Sequence, residues 1–459
     1  MRKPVLDQGF SPLILALRKF NEDVAACPKK QHLIVSVERA GGYIYRREFD
    51  VFPDGVDDER NALIIERFVK SILWIVGGYK IYVAGSHPVY LALKDYYRKG
   101  GLREFDYEFW STTFEREVKV EERTLEDIPE EVVSSESAGG HLEGKRIGFD
   151  AGGSDIKVSA VVDGEVISSK EIVWLPKLNE DINYHYEHIY AAMKQGVEDL
   201  GGDCDAIGIS TAGVIVTDRP MVSSIFIKVP KKDFELVKYA YVNCVKRLEK
   251  ELGHPIPYVV ANDGDVTALA GAVDLKDNCV LGISMGTSEA GGYVDCNGNL
   301  PGWFSELAFV PLDINPHAEV DEWSKDYGVG CKYLSQDAVI KLLPAAGIEV
   351  DPSLTLAQKL SFVQELMEKG DERAARIYES IGVYLAYALA YYAEFYKIKH
   401  VLLLGRVTSG KGGDIILETA RETLASDFPE YAGFHLAMPS ESMRRVGQSI
   451  AAASLPKGK

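Results

Sequence analysis

Four short stretches of this chain carry residue types suited to holding phosphate and moving a proton. Asp150-Ala-Gly-Gly-Ser154 breaks an alternating apolar run, with Ile147 and Phe149 before it and Ile156, Val158, Ala160 and Val162 after it. That pattern makes it the turn between two strands. Gly152 and Gly153 let backbone N–H groups approach an anion without a Cβ in the way. Ser154 adds a hydroxyl donor, and Asp150 can hold Mg2+ through water. An ordinary hairpin with a glycine turn has the same pattern, and this segment alone leaves the two readings level. A second turn of the same logic, Gly286-Thr287-Ser288, lies in CVLGISMGTSEAGGYVD at 279–295. Between the two turns, Asn262-Asp263 sits at the carboxyl end of a short strand, 257–261, where open α/β sheets gather ligands. Asp263 suits a general base there. Its plain alternative is a carboxylate capping the next helix, a task Asp265 could equally perform. Late in the chain, HVLLLGRVTSGKGG reads as strand, glycine loop and helix, with Gly405 in the loop. Lys411 lacks the upstream glycine spacing of a phosphate loop and reads as a solvated lysine.

The elements that must position these residues follow from periodicity. Residues 146–167 form a three-strand meander closed by Asp163-Gly164. Amphipathic helices are expected at 184–200 and 234–252, each ended by glycine, with a buried strand at 206–210 leading into Thr211-Ala-Gly213. An alanine-rich helix begins at 265, a largely buried one covers 372–396, and small residues at 446–454 form the last. Ahead of all this lies an α+β module. It has a hairpin at 32–52, a helix at 61–76, a strand at 80–84, a helix at 88–99, and short strands at 105–109 and 117–120. The acidic, then Ser/Gly-rich stretch 121–145 reads as a solvated linker.

Composition limits the function classes. The chain has 459 residues, 46% of them hydrophobic, enough for more than one core. Its 69 acidic residues outnumber 51 basic ones, a net charge of -18 that argues against a nucleic-acid partner, and no helix-turn-helix is evident. No apolar run approaches the ~18 residues of a membrane span. The six cysteines are scattered without a C-x-x-C pair and read as reduced thiols of a cytoplasmic protein.

In their order and spacing the two glycine turns, the Asn-Asp pair and the late glycine loop resemble the actin/hexokinase/heat-shock-chaperone ATPase superfamily. Within it they are most similar to the ROK group of repressors, open reading frames and sugar kinases, over about 145–455. The resemblance implies a two-lobed, ribonuclease-H-like α/β fold with the additional N-terminal module: module 1–125, linker 126–145, first lobe 146–265 plus 445–459, second lobe 266–444. It implies that Asp150, Gly152, Gly153 and Ser154 form the first phosphate motif, with Lys157 its following basic position. Gly286, Thr287 and Ser288 become the second phosphate motif and Gly405 the adenosine loop. Thr211 and Gly213 fall in the sugar-side turn, Asn262 on a sugar hydroxyl, Glu306 in the sugar-binding element, and Asp263 at the catalytic base. Val446-Gly447 opens the helix that returns to the first lobe.

The departures are specific. Phe309 or a neighbour replaces the family's histidine, and the asparagine expected near Ser223-Ser224 is missing. Only Cys331 remains of a zinc cluster, so no zinc site is expected. Glu289 follows the second turn, where a carboxylate would repel a triphosphate or help hold its metal. Arg406 stands where a second glycine is common. The resulting expectation is an ATP- and Mg2+-dependent kinase acting on a hydroxyl of a sugar or polyol, without nucleic-acid or membrane partners, and compatible with a homodimer. The alternative is a non-catalytic sugar- or nucleotide-sensing regulator of the same fold.

Overall fold

The computed structural model describes residues 1–133, 139–440 and 447–458. At the N-terminus, α1 (Leu13–Ala26) buries Leu13, Ile14, Leu17, Phe20 and Val24, a single stripe at helical spacing. The hairpin of β1 (Gln31–Glu38) and β2 (Ile44–Val51) pairs in unbroken register from Gln31↔Val51 to Glu38↔Ile44. Helix α2 (Asp58–Ile75) starts at Asp57, whose carboxylate accepts from the Arg60 N–H, and is buried along nearly its whole length. Next come β3 (Lys80–Ala84), α3 (His87–Tyr96), α4 (Glu104–Thr113) and β4 (Lys119–Arg123), completing a sheet of order β2-β1-β3-β4.

Residues 105–109, expected as a strand, are part of α4. Their aromatic/acid alternation imitates a strand period. The residues that α4 buries are Asp106, Trp110 and Thr113, spaced at the helical i, i+4, i+7.

The first lobe has the expected meander, β5 (Lys145–Ala151), β6 (Asp155–Val162) and β7 (Glu165–Val173). It is followed by α5 (Ile182–Asp199), β8 (Ala206–Thr211), the small ribbon β9 (Val214–Val216) and β10 (Arg219–Val222), α6 (Phe234–Val237), α7 (Ala240–Leu252) and β11 (Tyr258–Asn262). The sheet order is β11-β8-β5-β6-β7, with β8 and β11 parallel to β5. Helix α8 (Asp263–Leu275) then crosses to the second lobe, whose sheet has the order β13-β12-β14-β15. Its members are the hairpin β12 (Val280–Met285) and β13 (Glu289–Val294), then β14 (His400–Leu404) and β15 (His435–Ala437), both parallel to β12. Helices α9 (Gln336–Ala346), α10 (Leu356–Glu368), α11 (Glu372–Tyr392) and α12 (Lys411–Asp427) cover it. The closing helix α13 (Gln448–Ala453) packs small residues against α8 and the first sheet. Gly447 precedes it, while Val446 lies outside the described residues.

The N-terminal sheet shares its apolar core with the second lobe, while β5–β8, α5 and α7 enclose a separate one. Beside that shared core lies a fully buried ionic cluster. Arg67 reaches Glu66 at 2.7 Å and Asp326 at 3.0 Å; Lys70 reaches Asp106 at 2.9 Å and Asp326 at 3.3 Å; Arg103 reaches Glu66 at 2.5 Å and Asp326 at 2.7 Å. Three cations face three carboxylates, so the cluster is neutral, and Asp326 of the second lobe touches every cation in it.

Two expectations need correction. The stretch 121–145 is not a solvated linker where it is described. Ile128 is buried against Ile34, Tyr82 and Ala84, Ser36 Oγ donates to the Pro129 carbonyl at 2.7 Å, and Val132 bridges Ile44. Gly139 and His141 then bond to Leu455 and Ser454 through their backbones. Polar composition concealed one buried apolar anchor, Ile128, while most of the neighbouring side chains from 124 to 133 are exposed. The cysteines are also not all thiols, because Cys279 and Cys296 form a disulfide. They are 17 apart in sequence, but the hairpin register Val280↔Val294 folds the two strand ends together. Cys27, Cys204, Cys244 and Cys331 are free. Among the described residues no helix is long and apolar enough to cross a membrane.

The ionic cluster makes a test of how the N-terminal sheet is attached. Asp326→Ala leaves Arg67, Lys70 and Arg103 with one carboxylate too few in a site that water does not reach. Urea unfolding should show a loss of about 3–5 kcal/mol, as for other buried pairs broken on one side. A loss below ~1 kcal/mol would mean that water enters the cluster.

Candidate active site

The parallel registers place the predicted residues at one end of each sheet. In the first lobe Asp150 pairs with Ser210 and Ala151 with Thr211, while Thr211 pairs with Asn262. The carboxyl ends of β5, β8 and β11 therefore deliver Asp150, Thr211 and Asn262-Asp263 side by side. In the second lobe Ser284 pairs with Leu404, so the Gly286 turn and Gly405 emerge together from β12 and β14.

The first turn is tightly held. Gly152 N–H donates to the Asp155 carbonyl at 2.9 Å, and Trp174 Nε1 donates to the Gly152 carbonyl at 2.9 Å. The Ser154 hydroxyl donates to Asp155 at 2.8 Å. Lys157 pairs across the strands with Asp150, as its sequence offset requires. Lys177 was not singled out from sequence. Its ammonium lies so close over Gly153 that a Cβ there would be 2.8 Å from it. Lys177 sits in a turn after β7 and gives no local motif. The second turn is closed by Gly286 N–H to the Ser288 carbonyl at 3.0 Å, and the Gln336 N–H at the start of α9 donates to the Gly286 carbonyl at 2.9 Å.

Asn262, rather than Asp263 or Asp265, caps α8. Its Oδ1 accepts from Gly264 N–H at 2.7 Å, while its Nδ2 donates to the Gly213 carbonyl at 2.8 Å. Gly213 has φ +122, and a Cβ there would lie 2.0 Å from the Val222 carbonyl oxygen, so only glycine presents that carbonyl. Thr211 is fully buried and shares a 2.7 Å hydrogen bond with Tyr241. Asp263 is the first residue of α8 and accepts from Gly264 N–H at 3.0 Å. Asp265, two residues on, accepts from Tyr293 N–H at 3.1 Å and pins α8 to β13. That contact is close because glycine faces glycine: a Cβ on Gly292 would lie 2.0 Å from the Gly264 carbonyl oxygen.

Glu306 reaches the same place from the second lobe. Its N–H and that of Ser305 donate to the Trp74 and Ile75 carbonyls at 2.9 Å, at the end of α2. Phe309, where the histidine was expected, stacks on Trp74 with ring centres 4.4 Å apart. The carboxyl groups feel one another. Burial, and then the charge of Asp150, raise the pKa of Asp263. Burial and then Asp263 push Glu306 up to about 7. Burial, opposed by the Tyr293 bond, brings Asp265 to about 8. Asp150 is raised by burial despite the 2.7 Å bond from Ser210. Ser210 was legible only through the strand register.

Three further positions named in the sequence are placed as follows. Glu289 does not face the second turn. It is buried at the start of β13, where Oε1 accepts from Tyr392 at 2.8 Å. Arg406 turns away to α10, with its carbonyl accepting from Gln364 Nε2 at 2.6 Å. Cys331 is buried and donates to Asp321 at 3.5 Å, and among the described residues no group of three or more His, Cys, Asp or Glu side chains is placed to hold a metal.

No family model matches the sequence, and no curated protein does. Solved structures do. The ROK hexokinase from Thermus thermophilus matches over 68% of this chain and 97% of its own length, at 18% identity and a TM-score of 0.51. A ROK family transcriptional regulator, a homolog of the E. coli MLC protein, matches over 68% of this chain and 78% of its own, at 16% identity and a TM-score of 0.50. This chain has the ROK fold. Within that fold, Asp150 and the glycine turn stand on the first sheet, Gly286 and Gly405 on the second, and Asp263 on the helix that joins them.

Glu289 supplies a pH test. Burial lifts its carboxyl to about 8 from an ordinary 4.5, and Oε2 has no hydrogen-bond partner. The folded chain therefore keeps the proton that the unfolded chain releases above pH 4.5. This stabilising contribution is complete at lower pH and is lost as pH rises towards 8. Glu289→Gln should remove that slope, leaving the variant more stable near pH 8 by on the order of 3 kcal/mol and little changed near pH 4.5. Parallel pH slopes for the two proteins in urea titrations would place a charged, solvated carboxylate at this position.

Proposed function

We propose that this protein transfers the γ-phosphoryl group of ATP to a hydroxyl of a sugar or sugar-like compound. The observation that supports this most is the position of Asp263. It begins a helix between two glycine turns, beside Asn262 and Glu306, and its pKa is raised by burial and by Asp150. A raised pKa makes a carboxylate a better proton acceptor. In this reading Asp263 accepts the hydroxyl proton as the oxygen attacks. Asn262 and Glu306 orient the sugar, with the Thr211–Gly213 turn behind them. The N–H groups of Gly153, Thr287 and Ser288, in turns closed by the Gly152 and Gly286 bonds, act together with Lys157 and Lys177 to offset phosphate charge, and the Gly405 loop takes the adenosine.

The donors also fit Mg2+. Asp150 is a hard oxygen ligand whose hydrogen bond from Ser210 sets its orientation, in a site with more carboxylates than cations. A magnesium ion bound there through water supplies charge neutralisation to the phosphates. The reading of the same fold as a sensing regulator draws on the regulator neighbour, and it needs no proton acceptor at position 263.

Asp263→Asn separates the two. It keeps size and the ability to accept from Gly264 N–H but cannot take the proton. ADP release over a sugar and polyol panel should fall roughly 10²–10⁴-fold, with ATP affinity and thermal stability close to wild type. Wild-type turnover in the variant would remove Asp263 from the chemistry. Sugar binding without turnover in either protein would favour the regulator.

A further inference from the structure

The N-terminal module does more than buttress Glu306. A cavity of about 700 Å³ runs from Gly213 and Asn262, past Tyr43, Trp303 and Phe304, to Arg39. That volume falls within the ~300–1,000 Å³ of small-molecule sites and exceeds the needs of one sugar ring. Both ends matter to its chemistry. The inner end is the candidate sugar site of the preceding reading, on which this inference rests. The outer end is built by the β1–β2 turn, outside both lobes.

Arg39 is held in place but not neutralised. Its Nε donates to the Val76 carbonyl at 3.1 Å, and Nη2 donates to the Gly302 carbonyl. Nη1 makes no hydrogen bond among the described residues, and no carboxylate there pairs with Arg39. Burial lowers its pKa to about 10, so it remains a cation at neutral pH. In the buried ionic cluster Arg67 and Arg103 are each matched by two carboxylates. Arg146, also buried, is held by the Glu143, Ala453 and Pro456 carbonyls, with every contact inside the protein. Arg39 differs from both in facing a cavity. Arg39 is half-buried at the cavity wall, and a guanidinium partly removed from water without a counterion favours an anionic ligand. Lys457, at the end of the chain, lines the same cavity and adds a second cation. Asp218 and Asp265 line the cavity as well, on the first-lobe side, so its cationic character is concentrated at the Arg39 end. The aromatic faces of Tyr43 and Trp303 suit the apolar face of a sugar ring.

We infer that the substrate is an anionic carbohydrate, bearing a carboxylate or phosphate group that Arg39 binds while the acceptor hydroxyl lies at the Asn262 end. A guanidinium serves either group through a bidentate hydrogen bond.

The test uses the full chain and matched sets of probes: hexoses, the corresponding uronic and aldonic acids, and the hexose 6-phosphates. Binding is measured by calorimetry without ATP, and ADP release is measured separately. At least one acidic member should bind wild type about 10–100-fold more tightly than its neutral parent, the usual worth of a charge-assisted hydrogen bond. Arg39→Gln should bring that ratio to within about 3-fold, and Arg39→Lys should recover part of it. Preference for carboxylates or for phosphates identifies the anion. Acidic sugars that bind through Arg39 without ADP release would uphold this site while removing the kinase reading. Neutral sugars bound as well as acidic ones, or an acid preference unchanged in Arg39→Gln, would overturn it whether or not ADP is released. If Arg39→Gln does not fold, the wild-type ratio of acidic to neutral binding decides alone.

Discussion

The carboxyl end of α2 is the point on which the site depends. A helix leaves its last carbonyls without internal partners, and they must be satisfied elsewhere. Here Trp74 and Ile75 accept from Glu306 and Ser305, so the unmet bonds of an N-terminal helix fix a loop of the second lobe. The arrangement holds only if α2 cannot slide. The buried cluster of Glu66, Arg67, Lys70, Arg103, Asp106 and Asp326 prevents this, because each cation is satisfied at one position along the helix. Apolar side chains tolerate a shift of register better than fixed ion pairs do. Ser305 also accepts from the Gly291 N–H at 3.0 Å, which carries the constraint into β13. From there Tyr293 holds Asp265, and α8 presents Asp263.

The same chain of contacts explains why acidic groups can crowd one cleft. Asp263 lies in the first turn of α8, where the helix dipole and unpaired N–H groups favour a negative charge. Its raised pKa shows that burial and the charge of Asp150 outweigh that help. Asp265 relieves part of the conflict by remaining largely protonated near neutral pH, as its value of about 8 indicates. What remains is a field seeking cations at the inner end, close to Asp150. Phosphates need cations too, and the chain provides few of its own, Lys157 and Lys177 among them. In the proposed kinase reading a divalent ion would reconcile the carboxylates with the phosphates.

Much of this was legible in the sequence. The alternating runs around Asp150 and Gly286 announced both hairpins, and Asn262-Asp263 stood at a strand end as read. What escaped depended on contacts distant along the chain. The α4 aromatics alternate as in a strand, and only their burial against Trp74 reveals the helical face. The Cys279–Cys296 pair becomes visible once the hairpin register is known. Glu289 follows a glycine turn, but strand alternation turns it into the core, towards Tyr392. The stretch 121–145 has the composition of a linker because Ile128 and Val132 are sparse among acids and serines. Ser210 and Lys177 carry no motif at all, since their relevance comes from register and from a loop crossing above Gly153.

The N-terminal sheet is consequently hard to treat as an appendage. Its core is continuous with that of the second lobe, and its turn at Arg39 bonds to Gly302, three residues before Ser305. Phe304 lies against Gly77, where a Cβ would come within 2.1 Å of the ring. The segment 302–306 is therefore gripped from Arg39, Gly77, Trp74 and Ile75 in turn. Any movement of one lobe against the other must carry this sheet with the second lobe. The cavity wall formed by Tyr43 and Arg39 then moves against Gly213 and Asn262 of the first lobe. In the proposed reading such a movement would change the span between Arg39 and the Asn262 end, and with it the length of ligand that both could hold.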